Sequence, residues 1–368
     1  MQPIDPVLVD RTGTPIAGCA PSQLKPAHDW PPVIVTRETI DREVERLADL
    51  PRPANGRRQT LLVHPNAPTP GRGLTPGVQV TLDVLKPGED TAPIRHNSTQ
   101  VNFCIRGTGR TRVSDRDIRF HQYDVWNHPS HAVYRHANDG KELQVRLTYS
   151  NAALLEMMRV HIVDEQPEVP AERVEQDEDP RRRNPFGTFA IGDEGAALMP
   201  YEILIDPPAV ESPALHWPWA TVRAHLEKLQ ALGKEYVGRR LYLLYNPLTG
   251  RFNGTTPNFF ATMTIRPPGI VDKPHRHVSS AINYYFSGSG YSRVEGKRYE
   301  WKAGDLMVSA PGWAVHNHAS YDDSVFELTI QDQPLNIFME SLLWQEDLAY
   351  PARILGTDSG FATNRSAS

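Results

Sequence analysis

The segment Gly238-Arg239-Arg240-Leu-Tyr-Leu-Leu-Tyr-Asn246-Pro247 echoes Gly56-Arg57-Arg58-Gln-Thr-Leu-Leu-Val-His64-Pro65 at a distance of 182 positions. Two later landmarks keep the same spacing: Gly288 follows Gly107 by 181 positions, and Pro311 follows Pro129 by 182. One residue is lost and regained between them, as a loop deletion would do. A helical pattern precedes each copy. Ile40, Val44, Leu47 and Leu50 share one face, with Thr36 or Thr39 as N-cap; Val222, Leu226, Leu229 and Leu232 share another, with Gly233 after them. After each helix come short strand-like runs separated by Gly, Pro and Asn turns. A helix-plus-strands unit used twice folds as two similar domains. The turn-limited strands make each an antiparallel sandwich or barrel.

This repeat divides the chain into an N-terminal arm (1–29), a first unit (30–160), a linker (161–200), a second unit (201–343) and a C-terminal tail (344–368). The arm is Pro-rich and patternless. Residues 150–160 read as a short helix, and 164–183 form an acidic, Pro-bearing linker or loop. The 33 prolines of the 368 residues favour turns and sheet edges over long helices. A net charge of −5 with interspersed signs gives no footprint for nucleic acid or a membrane surface. The two cysteines, Cys19 and Cys104, do not make a disulfide framework. No signal peptide or bilayer-spanning run is visible, so a cytoplasmic location is expected.

The two units differ in chemistry. Residues two apart in a strand share a face, so His275 and His277 aim one way, as do His316 and His318. On neighbouring strands of a small barrel, three or four imidazoles meet in the interior and form a metal site. The first unit has Ile94 and His96 against His275 and His277, and Tyr134 and His136 against His316 and His318. It carries half of the constellation. Imidazole suits Zn, Cu, Fe and Ni alike, so the ligands do not choose the metal; three ligands leave positions open for chemistry.

The second unit resembles the cupin family. Gly269, His275, His277 and Gly288 follow its first motif, and Gly304, Pro311 and His316 its second, with one extra residue between Gly304 and Pro311. Ala281 stands where cupins carry a glutamate ligand. H-R-H-x-x-x-A, P-x-W-x-x-H-x-H and R-R-x-x-x-L-x-N-P narrow the resemblance to gentisate 1,2-dioxygenase and its salicylate- and hydroxynaphthoate-cleaving relatives, over about Trp30 to Leu343. The resemblance implies an all-β fold with a few helices: a bicupin of two antiparallel β-barrel (jelly-roll) domains from an internal duplication. It implies Fe(II) held by His275, His277 and His316, and a homo-oligomer, a tetramer in the family.

Three departures bear on the substrate. The complete metal site lies in the second cupin, whereas typical gentisate enzymes carry it in the first. Asn283 replaces an arginine that binds the substrate carboxylate in the family. Glu327-Leu328-Thr329 replaces a W-L-D segment, so a pocket aspartate is absent. The expected activity is Fe(II)-dependent cleavage of a hydroxybenzoate (gentisate, salicylate or a substituted salicylate) between the carboxyl- and hydroxyl-bearing carbons, with a small aromatic acid and O2 as the partners. Two other readings stay open: a non-oxidative metal cupin, such as an isomerase or decarboxylase, and a bicupin that binds a small acid with the metal's help.

Around the ligands, His318 is the candidate acid/base toward substrate oxygen, against the plainer reading of a fourth ligand or a polar lining residue. Arg239 or Arg240 could clamp the carboxylate through a bidentate pair, or form a surface salt bridge. Asn283 could donate to a substrate oxygen, although Asn102 at the equivalent place of the first copy favours a structural share. Trp313 lines the pocket or packs the barrel. Arg276, between two ligands, faces outward.

Overall fold

The computed structural model describes residues 30–168, 185–191, 196–201, 212–233, 236 and 238–355. The N-terminal arm with Cys19, most of the acidic run of the linker, and the tail beyond residue 355 lie outside the described residues. The fold is mostly strand with a few helices, as the turn pattern implies.

Two six-stranded antiparallel sheets carry the molecule. One runs Ile34–Val35, Leu306–Ala310, Ala281–Ser287, Val325–Gln331, Phe260–Arg266, Leu241–Leu243; the other runs His216–Trp217, Val125–His128, Gln100–Arg106, Gln144–Ser150, Gln79–Leu85, Arg58–Leu62. Strand alternation gives each sheet two different faces. Val80, Leu82, Val84, Phe103 and Leu147 point to one side of their sheet, and Met263, Ile265, Tyr284 and Leu328 to one side of the other; together they form a single hydrophobic core shared by both units. Phe103 meets Tyr284 and Phe286 there, with ring centroids 5.7 and 5.5 Å apart. The opposite faces carry buried polar groups: Asp83, Asn102, Arg146 and Thr148 in the first unit, Thr264, Asn283, Glu327 and Thr329 in the second. Each barrel is thus hydrophobic outside, where it meets its twin, and encloses these polar groups beside a smaller apolar cluster, with Phe120 and Trp126 in the first and Tyr285 and Trp301 in the second.

A three-stranded sheet completes each barrel: Arg116–Phe120, Gly109–Val113, Tyr134–Ala137 in the first, and Lys297–Lys302, Ser289–Val294, His316–Ser320 in the second. Gly107 and Gly288 turn the chain between the sheets at φ 78° and 72°. A Cβ on either would come within 2.4 Å of the Leu143 carbonyl oxygen or 2.7 Å of the Ser324 one, so the landmark is glycine in both copies.

The units also exchange edge strands. Ile34 and Val35, which lead into the first unit's helix, pair with Met307 and Leu306 of the second; His216 and Trp217, which lead into the second unit's helix, pair with Trp126 and Val125 of the first. Asp305 Oδ1 accepts the Arg37 N–H at 2.7 Å, and Asp124 Oδ1 accepts the Trp219 N–H at 2.7 Å, so each unit caps the other's helix. The first helix spans Arg37–Asp49 behind Thr36 as N-cap and buries Ile40, Val44 and Leu47. Leu50, expected on that face, is its extended C-cap and exposed. The second spans Trp219–Gln230 and ends before Leu232, which is exposed.

Candidate metal centre

Pro274 ends an irregular segment, and the chain then enters the barrel as an antiparallel bridge between His275 and His316. Each residue's N–H donates to the other's carbonyl, at 3.1 and 2.9 Å. The bridge brings their rings to 4.4 Å between centroids, and His277, two residues on, lies 4.8 Å from His316. The possible ligand atoms of the three all lie within 4.8 Å of one another.

In all three rings the Nδ1 side is anchored to a carbonyl: His275 to Lys273 at 3.2 Å, His277 to Ser279 at 2.7 Å, and His316 to Ala314 at 2.9 Å. A carbonyl only accepts, so each Nδ1 carries the hydrogen and each Nε2 is left with its lone pair. Burial keeps the rings neutral. It drives His277 down to about 3, with the neighbouring His275 adding to the effect, and holds His316 and His275 below the usual range. Neutral, pre-oriented imidazoles with converging lone pairs are a fit receptor for a divalent metal. Ala281 adds no carboxylate.

The remaining singled-out residues fall at different distances from this triad. His318 is buried with its centroid 5.9 Å from that of His316, and its Nδ1 lies 2.8 Å from Ser292 Oγ. Burial lowers it to about 4, with the Glu327 carboxylate opposing. Asn283 is committed at both ends of its amide, donating to Thr329 Oγ1 at 2.8 Å and accepting from Ser309 Oγ. Arg240 donates to the carbonyls of Gly233 and Tyr236, at 2.7 and 3.0 Å, and so fastens a loop. Trp313 is buried, with the Arg276 guanidinium 4.5 Å from its ring. Arg239 pairs with Glu346 through one nitrogen, Nη2, which donates to both carboxylate oxygens at 2.8 and 2.7 Å.

Trp344 was not singled out above. Strand Leu342–Gln345 pairs with Arg276–His277, setting Trp344 opposite His277 with ring centroids 4.8 Å apart. Its Nε1 donates to Glu346 at 2.9 Å, and Arg239 sits 5.8 Å above its ring. Trp344, Arg239 and Glu346 line a cleft of about 560 Å³ together with Tyr350 and Arg353. By sequence, residue 344 falls in the C-terminal tail, and nothing local in Leu342-Leu343-Trp344-Gln345 tells which strand it joins.

No protein-family model matches the chain. A 5-aminosalicylate 1,2-dioxygenase of Comamonas sp. is 24% identical over 315 residues, which are 83% of this chain and 78% of that one. A 5-nitrosalicylic acid 1,2-dioxygenase of Bradyrhizobium sp. is 31% identical over 135 residues, 35% of this chain and 65% of its own. Among solved structures, the salicylate 1,2-dioxygenase from Pseudaminobacter salicylatoxidans superposes with a TM-score of 0.71 at 18% identity, covering 87% of this chain and 89% of that one. The chain has the fold of that dioxygenase, and these two similar sequences carry the names of 1,2-dioxygenases of substituted salicylates.

Proposed function

We propose that this chain is an Fe(II)-dependent dioxygenase that opens the ring of a hydroxybenzoate, between the carboxyl- and hydroxyl-bearing carbons, with O2. The observation that carries the proposal is the convergence of three uncharged imidazoles, His275, His277 and His316, with no carboxylate among them. Three neutral ligands leave the full dipositive charge on the metal, and an anionic chelating acid is its natural complement. The dioxygenase names of similar sequences choose oxidative ring cleavage over isomerisation or decarboxylation.

Iron, when bound, supplies the electron transfer between the chelated aromatic acid and O2; the protein supplies position and electrostatics. Both oxygen atoms end in the product, one on each carbon of the broken bond. The Nδ1 anchors at Lys273, Ser279 and Ala314 keep the three ligands in one tautomer and one orientation. Trp344 walls the site beside His277 and presents a flat face to an aromatic ring. Arg239 is the guanidinium at the cleft, and it clamps the substrate carboxylate by exchanging that group for Glu346. Trp301 Nε1 donates to Ser292 Oγ at 2.9 Å, which frees the serine hydrogen for His318 Nδ1. His318 then offers Nε2–H toward a substrate oxygen. Asn283, with its amide occupied by Thr329 and Ser309, is a barrel strut. A homo-oligomer is the working form that the resemblance implies.

The test is an aerobic panel of ortho-hydroxybenzoates with Fe(II)-reconstituted protein, followed by oxygen electrode and product absorbance. Oxygen uptake matched to loss of the aromatic band is expected with at least one of gentisate, salicylate, 5-amino- and 5-nitrosalicylate. No uptake across the panel refutes the proposal.

A further inference from the structure

The first barrel lacks two of the three metal ligands but holds buried charge of its own. Asp83 and Arg146 face each other in register on neighbouring strands, and the same register in the second barrel holds Thr264 and Glu327. The duplication therefore has a cation in one barrel where the other has an anion. In the second barrel Glu327 is engaged by Arg266, which also pairs with Asp272, so two carboxylates meet one guanidinium. That balance suits the arrival of a metal cation. In the first barrel the balance is reversed.

There Asp83 already accepts three neutral donors, Gln59, Thr81 and Thr148, at 2.6, 3.0 and 2.9 Å, and Arg146 stands 3.7 Å away. Arg146 is 3% exposed, and its Nε has no hydrogen-bond partner among the described residues. Arg57 enters the same space. Its Nη2 donates to the Ala92 carbonyl, while its buried Nη1 has no hydrogen-bond partner among the described residues. The Nδ1 of His136, in a residue 4% exposed, likewise has no partner among the described residues. Arg58 does not add to the excess, because Glu89 pairs with it at 2.5 Å. Two guanidiniums thus face one buried carboxylate; Glu165, which also acts on Arg57 through space, is solvent-exposed. An unpartnered guanidinium nitrogen held out of water costs more than an ordinary unmade hydrogen bond, and an anion is what satisfies it.

Arg57, Arg146 and His136 line one cavity of about 20 Å³. That is room for about one or two water molecules, which admits an ion of formate or chloride size and excludes an aromatic acid. We infer that the interior of the first barrel is a binding site for a small monovalent anion, held by Arg57 Nη1, Arg146 Nε and His136 Nδ1. The duplicated barrels then carry opposite cargoes, a metal cation in one and an anion in the other.

Two measurements on the full chain test this. Thermal unfolding in sodium formate is compared with sodium gluconate at equal ionic strength, gluconate being too large for the cavity. Wild type is expected to gain about 2 °C or more in formate, and Arg57→Gln is expected to lose that increment. Any effect of formate at the metal centre is common to both proteins and drops out of the difference. A crystal soaked in bromide is expected to show an anomalous peak between Arg57 and Arg146, a readout that needs no variant. An equal formate increment in wild type and Arg57→Gln, or a bromide-soaked crystal with water alone in the cavity, overturns the inference.

Discussion

Tyr134 donates its phenolic hydrogen to Nε2 of His96 across 2.9 Å, and so fills in the first barrel the lone pair that His277 keeps free in the second. The tautomer follows from the other side of the ring. His96 Nδ1 faces the Ser98 carbonyl at 2.9 Å, as His277 Nδ1 faces that of Ser279. Backbone geometry is retained as well, since Ile94 bridges Tyr134 as His275 bridges His316. The first barrel is a metal site closed by two substitutions.

Reversing both should reopen it. The double variant Ile94→His, Tyr134→His is expected to take up a second equivalent of zinc in a calorimetric titration. The buried guanidiniums of Arg57 and Arg146 should make this equivalent the weaker of the two. A single equivalent would show that the first barrel's backbone no longer supports the ligand geometry.

The two histidines of the strand His316–Ser320 should separate in experiment. His316→Ala is expected to lose the metal, measured by elemental analysis after dialysis. His318→Ala is expected to keep it while kcat falls by about 10²–10⁴, the worth of a positioned acid. Loss of metal in both variants would make His318 a ligand.

Ser279 tests how far orientation matters. Its carbonyl and its Oγ both contact His277 Nδ1, at 2.7 and 2.9 Å, so Ser279→Ala removes one anchor and leaves the other. Metal affinity, read by chelator competition, is expected to fall by about 10-fold, the low end for such outer partners. Unchanged affinity would mean that the carbonyl alone sets the ring.

Much of this was legible in the chain because it is local. The repeat at 181–182 positions located two units, and the parity of H-x-H put each histidine pair on one face. What escaped depends on pairing at long range. Ile34 and Val35 precede the first unit's helix, yet hydrogen-bond to the second unit's sheet, and no periodicity within six residues can announce that. Trp344 reaches His277 only because its strand pairs with Arg276–His277 rather than continuing away. Asn283 looked like a pocket amide by parity. Parity places it correctly in the interior, but it cannot reveal that Thr329 and Ser309 occupy the amide.

The strand exchange supplies its own test. Asp305, in the second unit, caps the first unit's helix at Arg37 and also accepts the Lys302 N–H at 2.9 Å. Asp305→Ala is expected to destabilise the protein by about 1–2 kcal/mol, measured as a lower urea midpoint with the slope unchanged. Asp305→Asn keeps an acceptor oxygen and should recover part of the loss. If Asp305→Ala left the midpoint unmoved, the cap would contribute nothing to docking the units.

Asp332 carries the pH dependence. Burial raises its carboxyl from 3.8 to about 6, although Ser280 donates to it through N–H and Oγ, at 2.8 and 2.9 Å. The first copy holds Asn151 at this place, accepting the Thr99 N–H at 2.9 Å, so the fold needs an acceptor here but not a charge. A carboxyl raised in the native state binds more protons there than in the unfolded chain, and the difference exists between pH 3.8 and about 6. Stability contributed by the protonated form is complete below that window and is lost as the pH rises through it. Asp332→Asn abolishes the term. Relative to wild type, the variant should therefore gain on the order of 2 kcal/mol between pH 4 and pH 7, read from urea midpoints of both proteins at the two values. A wild-type-to-variant difference that is the same at both would mean that Asp332 is ionised in the native protein throughout, its two serine hydrogen bonds outweighing the cost of burial.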